Sequence, residues 1–206
     1  MSFDPRGYAL SGDDGDSLWF LDTRMTVLAG GEQTGGAFTF LEWAAPEGFG
    51  PPRHVHHHED EGFYVLDGEL AVECGARGWT VGPGAFVFLP RGIDHAFVVV
   101  AGPVRGLQIT APAGFERYIA ELGRPADRPG LPEPSVPDIA GLNAVSGRYG
   151  YETVGPPLAP AAGIATARAG AGAVRADGDP GERHRQSPAR SRPAEALTER
   201  DRPRPR

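Results

Sequence analysis

Residues 48–68, GFGPPRHVHHHEDEGFYVLDG, constrain this chain more than any other stretch. His54 and His56 are two residues apart, so in an extended strand both side chains leave the same face. Glu61, Phe63 and Val65 resume the same two-residue spacing after a short polar break, which returns a carboxylate to the neighbourhood of the imidazoles. Two neutral imidazoles and a carboxylate, with coordination positions to spare, suit a catalytic first-row metal better than a closed structural site. A fold that uses this stretch must therefore bring short strands together around a polar point in its interior.

The remaining pattern says how. Strand-like runs are expected at 17–21, 24–29, 37–43, 63–66, 69–74, 79–81, 85–89, 95–100 and 104–110, separated by turn residues, with 30 Gly and 21 Pro in the chain as a whole. Asp67-Gly68 reads as a hairpin turn. Closely spaced short strands with almost no helix predict a small antiparallel barrel or jelly roll. After Thr110 the period changes: Phe115, Tyr118, Ile119 and Leu122 lie on one helical face, and Gly123 supplies a stop. A second helix is expected from Asp138, as its cap, to Tyr149, followed by an edge strand at 151–154.

A second motif follows about forty residues after the first. GAFVFLPRGIDHAFVV, residues 84–99, reads as an apolar strand, a Pro90/Gly92 turn and a strand opening at His95. Together the two stretches resemble the paired motifs of the cupin superfamily. Gly48, His54, His56, Glu61 and Gly68 match G-x5-H-x-H-x4-E-x6-G throughout, and Gly84, Pro90, Gly92 and His95 match G-x5-P-x-G-x2-H-x3-N, with Val99 in place of the final Asn. The resemblance implies a metal held by His54, His56, Glu61 and His95. It selects Glu61 over Asp60, because only Glu61 leaves six residues before Gly68. Glu59, Asp60, His57 and His58 are read as solvated or outer groups, and Arg53, Arg91 and Asp94 as ion-pairing or turn residues.

The fold implied is all-β, a single cupin barrel (jelly roll, or double-stranded β-helix) over 18–111. An irregular arm (1–17) precedes it, and a helical extension (112–158) and a disordered tail (159–206) follow. The stretch 18–126, and more weakly to 158, resembles the single-domain bacterial cupins grouped with quercetin 2,3-dioxygenase. That resemblance implies a dioxygenase acting on a flavonol or another enolisable aromatic, with Glu61 as both ligand and base, and a homodimer. The alternatives are a non-redox isomerase or cyclase and a metal-bearing small-molecule binding protein. One divalent iron, manganese, cobalt or nickel is the cofactor, since the same donor set serves all four. Phe40, Phe63, Phe86, Phe88, Phe97 and Val99, with Trp43 as a further candidate, are expected to line an apolar substrate pocket.

Charge narrows the partners. Residues 1–159 hold 10 Arg against 21 Asp and Glu, whereas 160–206 hold 10 Arg against 6. An acidic body lacks the basic footprint that nucleic acid requires. The single cysteine, Cys74, alternates with Leu70 and Val72 as a small buried side chain. No apolar run approaches the ~18 residues of a membrane span, and the acidic start of the chain has no secretory pattern. A cytoplasmic location and a small-molecule substrate, with dioxygen as co-substrate, complete the expectation.

Overall fold

The computed structural model describes residues 7–11, 14–136 and 138–159. The expected disordered tail, apart from Ala159, and much of the expected arm lie outside these residues. In chain order come β1 (Asp16–Phe20), β2 (Thr23–Ala29), the one-turn helix α1 (Gly31–Thr34), β3 (Thr39–Ala45), β4 (Pro52–His56), β5 (Asp60–Cys74), β6 (Arg77–Val81), β7 (Phe86–Leu89) and β8 (His95–Ala111). Then follow α2 (Phe115–Leu122), the two-residue β9 (Arg124–Pro125), α3 (Ile139–Ser146), a 3-10 turn (Gly147–Tyr149) and β10 (Tyr151–Pro157).

Two long strands organise the sheet. β8 pairs with β5 along nearly its whole length, from Asp60 opposite Ala111 to Cys74 opposite His95, and also pairs with β3 and β4. All pairings are antiparallel, in the order β10-β4-β8-β3-β2-β1-β9, with β6 and β7 on β5. The fold is the all-β barrel expected from the sequence, with the difference that each of these long strands replaces two expected short ones. Asp67-Gly68 is not a hairpin turn. Gly68 has φ of 78° inside a continuous β5, where the register against β8 shifts. The left-handed conformation that a turn glycine supplies is used here for a bulge that bends the strand.

The core fills the barrel. Leu41, Trp43, Phe63, Val65, Leu70, Val72, Leu89, Val99 and Val104 are buried, and Trp43, Phe63 and Phe97 meet with ring centroids 5.3–5.5 Å apart. On β3 the inward residues are Thr39, Leu41, Trp43 and Ala45, so Phe38 and Phe40 face outward. The expected helices form. α2 buries Phe115, Tyr118 and Ile119 and ends at Gly123. Asp138 caps α3 by accepting the Gly141 N–H at 3.0 Å, and Gly147 ends its α-helical part. β10 then runs antiparallel beside β4.

Candidate metal centre

Strand geometry gathers the four sequence-predicted ligands. His54 and His56 share one face of β4, His95 opens β8 directly opposite His54, and Glu61 lies on β5 opposite Thr110 of β8. One ligand atom from each of His54, His56, Glu61 and His95 can be chosen so that all four lie within 4.8 Å of one another. The three imidazole centroids are 4.5–5.0 Å apart. His56, Glu61 and His95 are buried and His54 is partly so.

Hydrogen bonds orient the cluster. His54 Nδ1 donates to the Pro52 carbonyl at 2.7 Å and His95 Nδ1 to the Ile93 carbonyl at 3.1 Å, which leaves each Nε2 lone pair directed inward. Glu61 Oε1 accepts from Gln108 Nε2 at 2.6 Å, while Glu61 Oε2 lies 3.4 Å from His95 Nε2. The electrostatics follow from burial and mutual charge. Burial, reinforced by the neighbouring His95 and His56, pushes His54 down to about 4. Burial likewise lowers His56. For Glu61, burial acts upward, but the imidazoles of His56, His95 and His54 outweigh it and hold the carboxyl below its ordinary value. Burial opposes protonation of His95, yet the Glu61 carboxylate more than compensates and raises it. The cluster thus sets a carboxylate among three imidazoles: burial disfavours the charged form of His54 and His56, and the Glu61 carboxylate favours that of His95.

Two buried atoms, His56 Nδ1 and His95 Nε2, have no hydrogen-bond partner among the described residues. Buried nitrogens of this kind normally have one. Beside a deprotonated carboxylate they form a donor set that fits a divalent first-row metal.

The neighbouring polar residues divide by burial. Glu59 is buried and accepts the Tyr151 hydroxyl at 2.5 Å, and the Tyr151 ring lies 4.5 Å from the His56 ring. Glu59 is therefore an outer support of the site rather than a solvated acid. Asp60 pairs with Arg91 at 2.7 Å, and Arg53 bridges Asp94 and Glu73, as the ion-pairing reading expected. His57 and His58 are exposed.

Of the four ligands, His54, His56 and Glu61 line an apolar cavity of about 90 Å³. Phe63, Phe97 and Trp43 line it with Met25, Phe49 and Gln108. Phe86 and Phe88 do not. Val87 and Leu89 take the inward positions of β7 and place both phenylalanines on the outer surface. Phe40 is likewise outward, opposite Ile109. Val99 points inward but is fully buried in the core away from the cavity wall, its backbone bonded to Gly48 and Phe49. The sequence reading missed much of the remaining wall, including Phe20 and Leu21 at the β1–β2 turn, Phe115 and Tyr118 of α2, Leu142 of α3 and Tyr151 of β10. Gln108 had a visible signal, being an amide on the inward face of a strand whose neighbours on that face are Val104, Gly106 and Thr110.

Residues 41–109 match the family described as Cupin domain. Over 118 residues the chain is 25% identical to the quercetin 2,3-dioxygenase of Bacillus subtilis (strain 168); the match covers 57% of this chain and only 35%, about a third, of that protein. Among solved structures, a predicted oxalate decarboxylase from Thermotoga maritima is 18% identical, with a TM-score of 0.47 over 51% of this chain and 99% of that one. KdgF from Halomonas sp. is 17% identical, with a TM-score of 0.42 over 47% and 85%.

Proposed function

We propose that this chain, whose residues 41–109 match the cupin-domain family, is a metal-dependent dioxygenase of an enolisable aromatic small molecule. The observation that carries the reading is the cluster of His54, His56, Glu61 and His95 opening on a cavity walled by Phe63, Phe97, Trp43 and Tyr151. A redox-active divalent metal in that cluster would polarise a bound oxygen and activate dioxygen. The chain itself supplies the surroundings. The aromatic walls hold a flat ring and exclude water, and Gln108 fixes one Glu61 oxygen, leaving the other to take the proton of the substrate hydroxyl.

The cavity also limits the substrate. Its volume of about 90 Å³ is well below the roughly 300–1,000 Å³ of pockets for drug-sized ligands. A flavonol enters only if the cavity widens, whereas a single-ring compound requires less. The same apolar walls serve a non-redox isomerase or cyclase, and the experiment must separate the two. The single buried cysteine suits a reducing, cytoplasmic setting, and among the described residues no helix is long and apolar enough to cross a membrane.

The test is dioxygen uptake by protein loaded separately with iron, manganese, cobalt or nickel, over quercetin and single-ring enolisable aromatics. Uptake is expected to follow one metal and to vanish in Glu61→Ala. No uptake at confirmed metal occupancy, together with turnover under anaerobic conditions or with zinc, would replace the dioxygenase by the non-redox enzyme.

A further inference from the structure

Five hydroxyl-bearing residues line the cavity: Thr23, Tyr118, Ser146, Tyr151 and Thr153. A hydroxyl has one hydrogen to donate and two lone pairs with which to accept, so the place of that hydrogen decides what it offers a ligand. Ser146 fixes the least obvious case. Its Oγ lies 2.7 Å from the Leu142 carbonyl oxygen, one helical turn back on α3, and 3.0 Å from the Tyr118 hydroxyl. A carbonyl oxygen only accepts, so the Ser146 hydrogen goes to Leu142. The Tyr118 hydroxyl must then donate to Ser146. The other three each face an accepting oxygen: Tyr151 donates to Glu59 Oε2 at 2.5 Å, Thr23 to the Phe20 carbonyl at 2.6 Å and Thr153 to Asn143 Oδ1 at 2.9 Å.

All five hydrogens are thus held within the protein, and what remains to these groups is lone pairs. The acids of the wall, Glu61 and Glu152, add further acceptors, and no arginine lines the cavity. Trp43 Nε1 is buried without a partner among the described residues, but it is enclosed against Gly106 of β8, where a Cβ would stand 3.1 Å from it. Tyr118 is the best placed of the five acceptors. The Tyr151 ring lies 4.5 Å from the His56 ring and 4.7 Å from the Tyr118 ring, so Tyr118 stands one aromatic ring beyond the ligand.

We propose that the cavity selects a neutral single-ring substrate carrying a hydrogen-bond donor, a hydroxyl or an N–H, besides the oxygens that meet the metal ligands, and that the Tyr118 phenolic oxygen receives this donor. A ring held at the ligands and lying along Tyr151 carries its far substituent toward Tyr118. An ether oxygen there faces lone pairs. To meet it, Tyr118 must turn its hydrogen away from Ser146 and forfeit a buried bond. A carboxylate there has no arginine to offset its desolvation. The inference rests on the reading that an aromatic oxygen donor occupies the cluster, and it does not depend on whether dioxygen attacks that ring.

The test is calorimetric binding to the zinc-loaded full chain without dioxygen, which reads affinity and not oxidation. The probes share one hydroxypyranone ring and differ in one substituent: kojic acid carries a hydroxymethyl group, its ether on that arm a methoxymethyl group, allomaltol a methyl group and comenate a carboxylate. Kojic acid is expected to bind about tenfold or more tighter than each of the others. Ser146→Ala removes the acceptor of the Tyr118 hydrogen and frees it to donate. The ether is then expected to gain on kojic acid until the two bind within about twofold, with allomaltol affinity and circular dichroism unchanged. A structural role of Ser146 alone would lower all the affinities alike. If that variant fails to fold, the ranking on the unaltered chain still decides. Allomaltol, the ether or comenate binding as tightly as kojic acid, or a ratio of ether to kojic acid that Ser146→Ala leaves unchanged, overturns the proposal and leaves aromatic binding in place. No probe bound at confirmed zinc occupancy overturns both.

Discussion

Gln108→Leu isolates the one hydrogen bond that fixes the Glu61 carboxylate. Gln108 and Glu61 are both buried, and the bond between Gln108 Nε2 and Glu61 Oε1 is 2.6 Å long. Leucine approximates the shape of glutamine, so the variant removes the donor with little change in packing, and Glu61 Oε1 is left buried without this bond. Hydrogen bonds to charged groups contribute about 1.5–3 kcal/mol. A loss of about 2 kcal/mol corresponds to about 4–8 °C in melting temperature for a domain of this size. The second effect is on the metal: with one oxygen unanchored, the carboxylate must be ordered on binding, and loss of such an outer partner weakens metal affinity about 10–100-fold. Thermal unfolding of the metal-free protein measures the first effect and a chelator-competition titration the second. Gln108→Glu gives the complementary result. It recovers the hydrogen bond only while one of the two carboxyls holds a proton, so its stability falls as pH rises. A Gln108→Leu protein within about 0.5 kcal/mol of wild type and with unchanged metal affinity would refute the reasoning.

Three further outcomes follow from particular contacts. His95→Ala is expected to lose stoichiometric metal while retaining its strand signal in circular dichroism, at a stability cost of about 2–4 kcal/mol for the vacated core position; full metal occupancy would remove His95 from the site. Glu59 has a folded value of about 7 against an ordinary 4.5, set first by burial, against the Tyr151 hydrogen bond. The native protein therefore holds a proton that the unfolded chain has released between those values, and stability of the metal-free protein falls as pH rises from about 5 to 7. Denaturant titrations over that range should show a shallower decline in Glu59→Gln, and an unchanged slope would exclude Glu59 as its source. Gly68→Ala places a Cβ 2.8 Å from Val104 Cα and 2.9 Å from two backbone carbonyl oxygens at a φ of 78°. It should cost about 2–4 kcal/mol in urea denaturation. Gly92→Ala, at φ 76° but with nothing within 4 Å, should cost only about 1–2 kcal/mol.

What the sequence made legible depended on how local its cause was. The four candidate ligands were readable because two short motifs state their own spacing, and a two-residue period needs only an extended backbone to put His54 and His56 on one face. The α2 stripe was readable for the same reason, as was the Asp138 cap. Strand phase was not readable wherever both faces are apolar. In Phe86–Leu89 every residue is apolar, and alternation alone cannot say whether Phe86 and Phe88 or Val87 and Leu89 enter the core. Phe40 beside Thr39 misled for a related reason: Thr39 takes the buried position, its hydroxyl bound to Glu116, a residue 77 positions away. Asp67-Gly68 marked a positive φ correctly, but whether such a residue turns a chain or bends a strand is decided by the partner strand, here β8.

The division between ligands and walls also bears on how far the family assignment reaches. Residues 41–109, which match the cupin family, contain all four candidate ligands together with Gln108, Phe63 and Phe97. β1, β2, α2, α3 and β10 lie outside that stretch and supply Phe20, Met25, Phe115, Tyr118, Leu142 and Tyr151 to the same cavity. β10 is the most consequential of these. Its pairing sets Tyr151 beside His56 and Thr153 beside His54, so one wall of the cavity is registered against the ligand strand residue by residue. Under the proposed function, a substrate at the cluster is expected to meet residues that the family match does not include and to be selected by them. Exchanging Leu142 or Tyr118 should change which aromatic is accepted while metal affinity stays constant, whereas exchanging Gln108 should change the metal first.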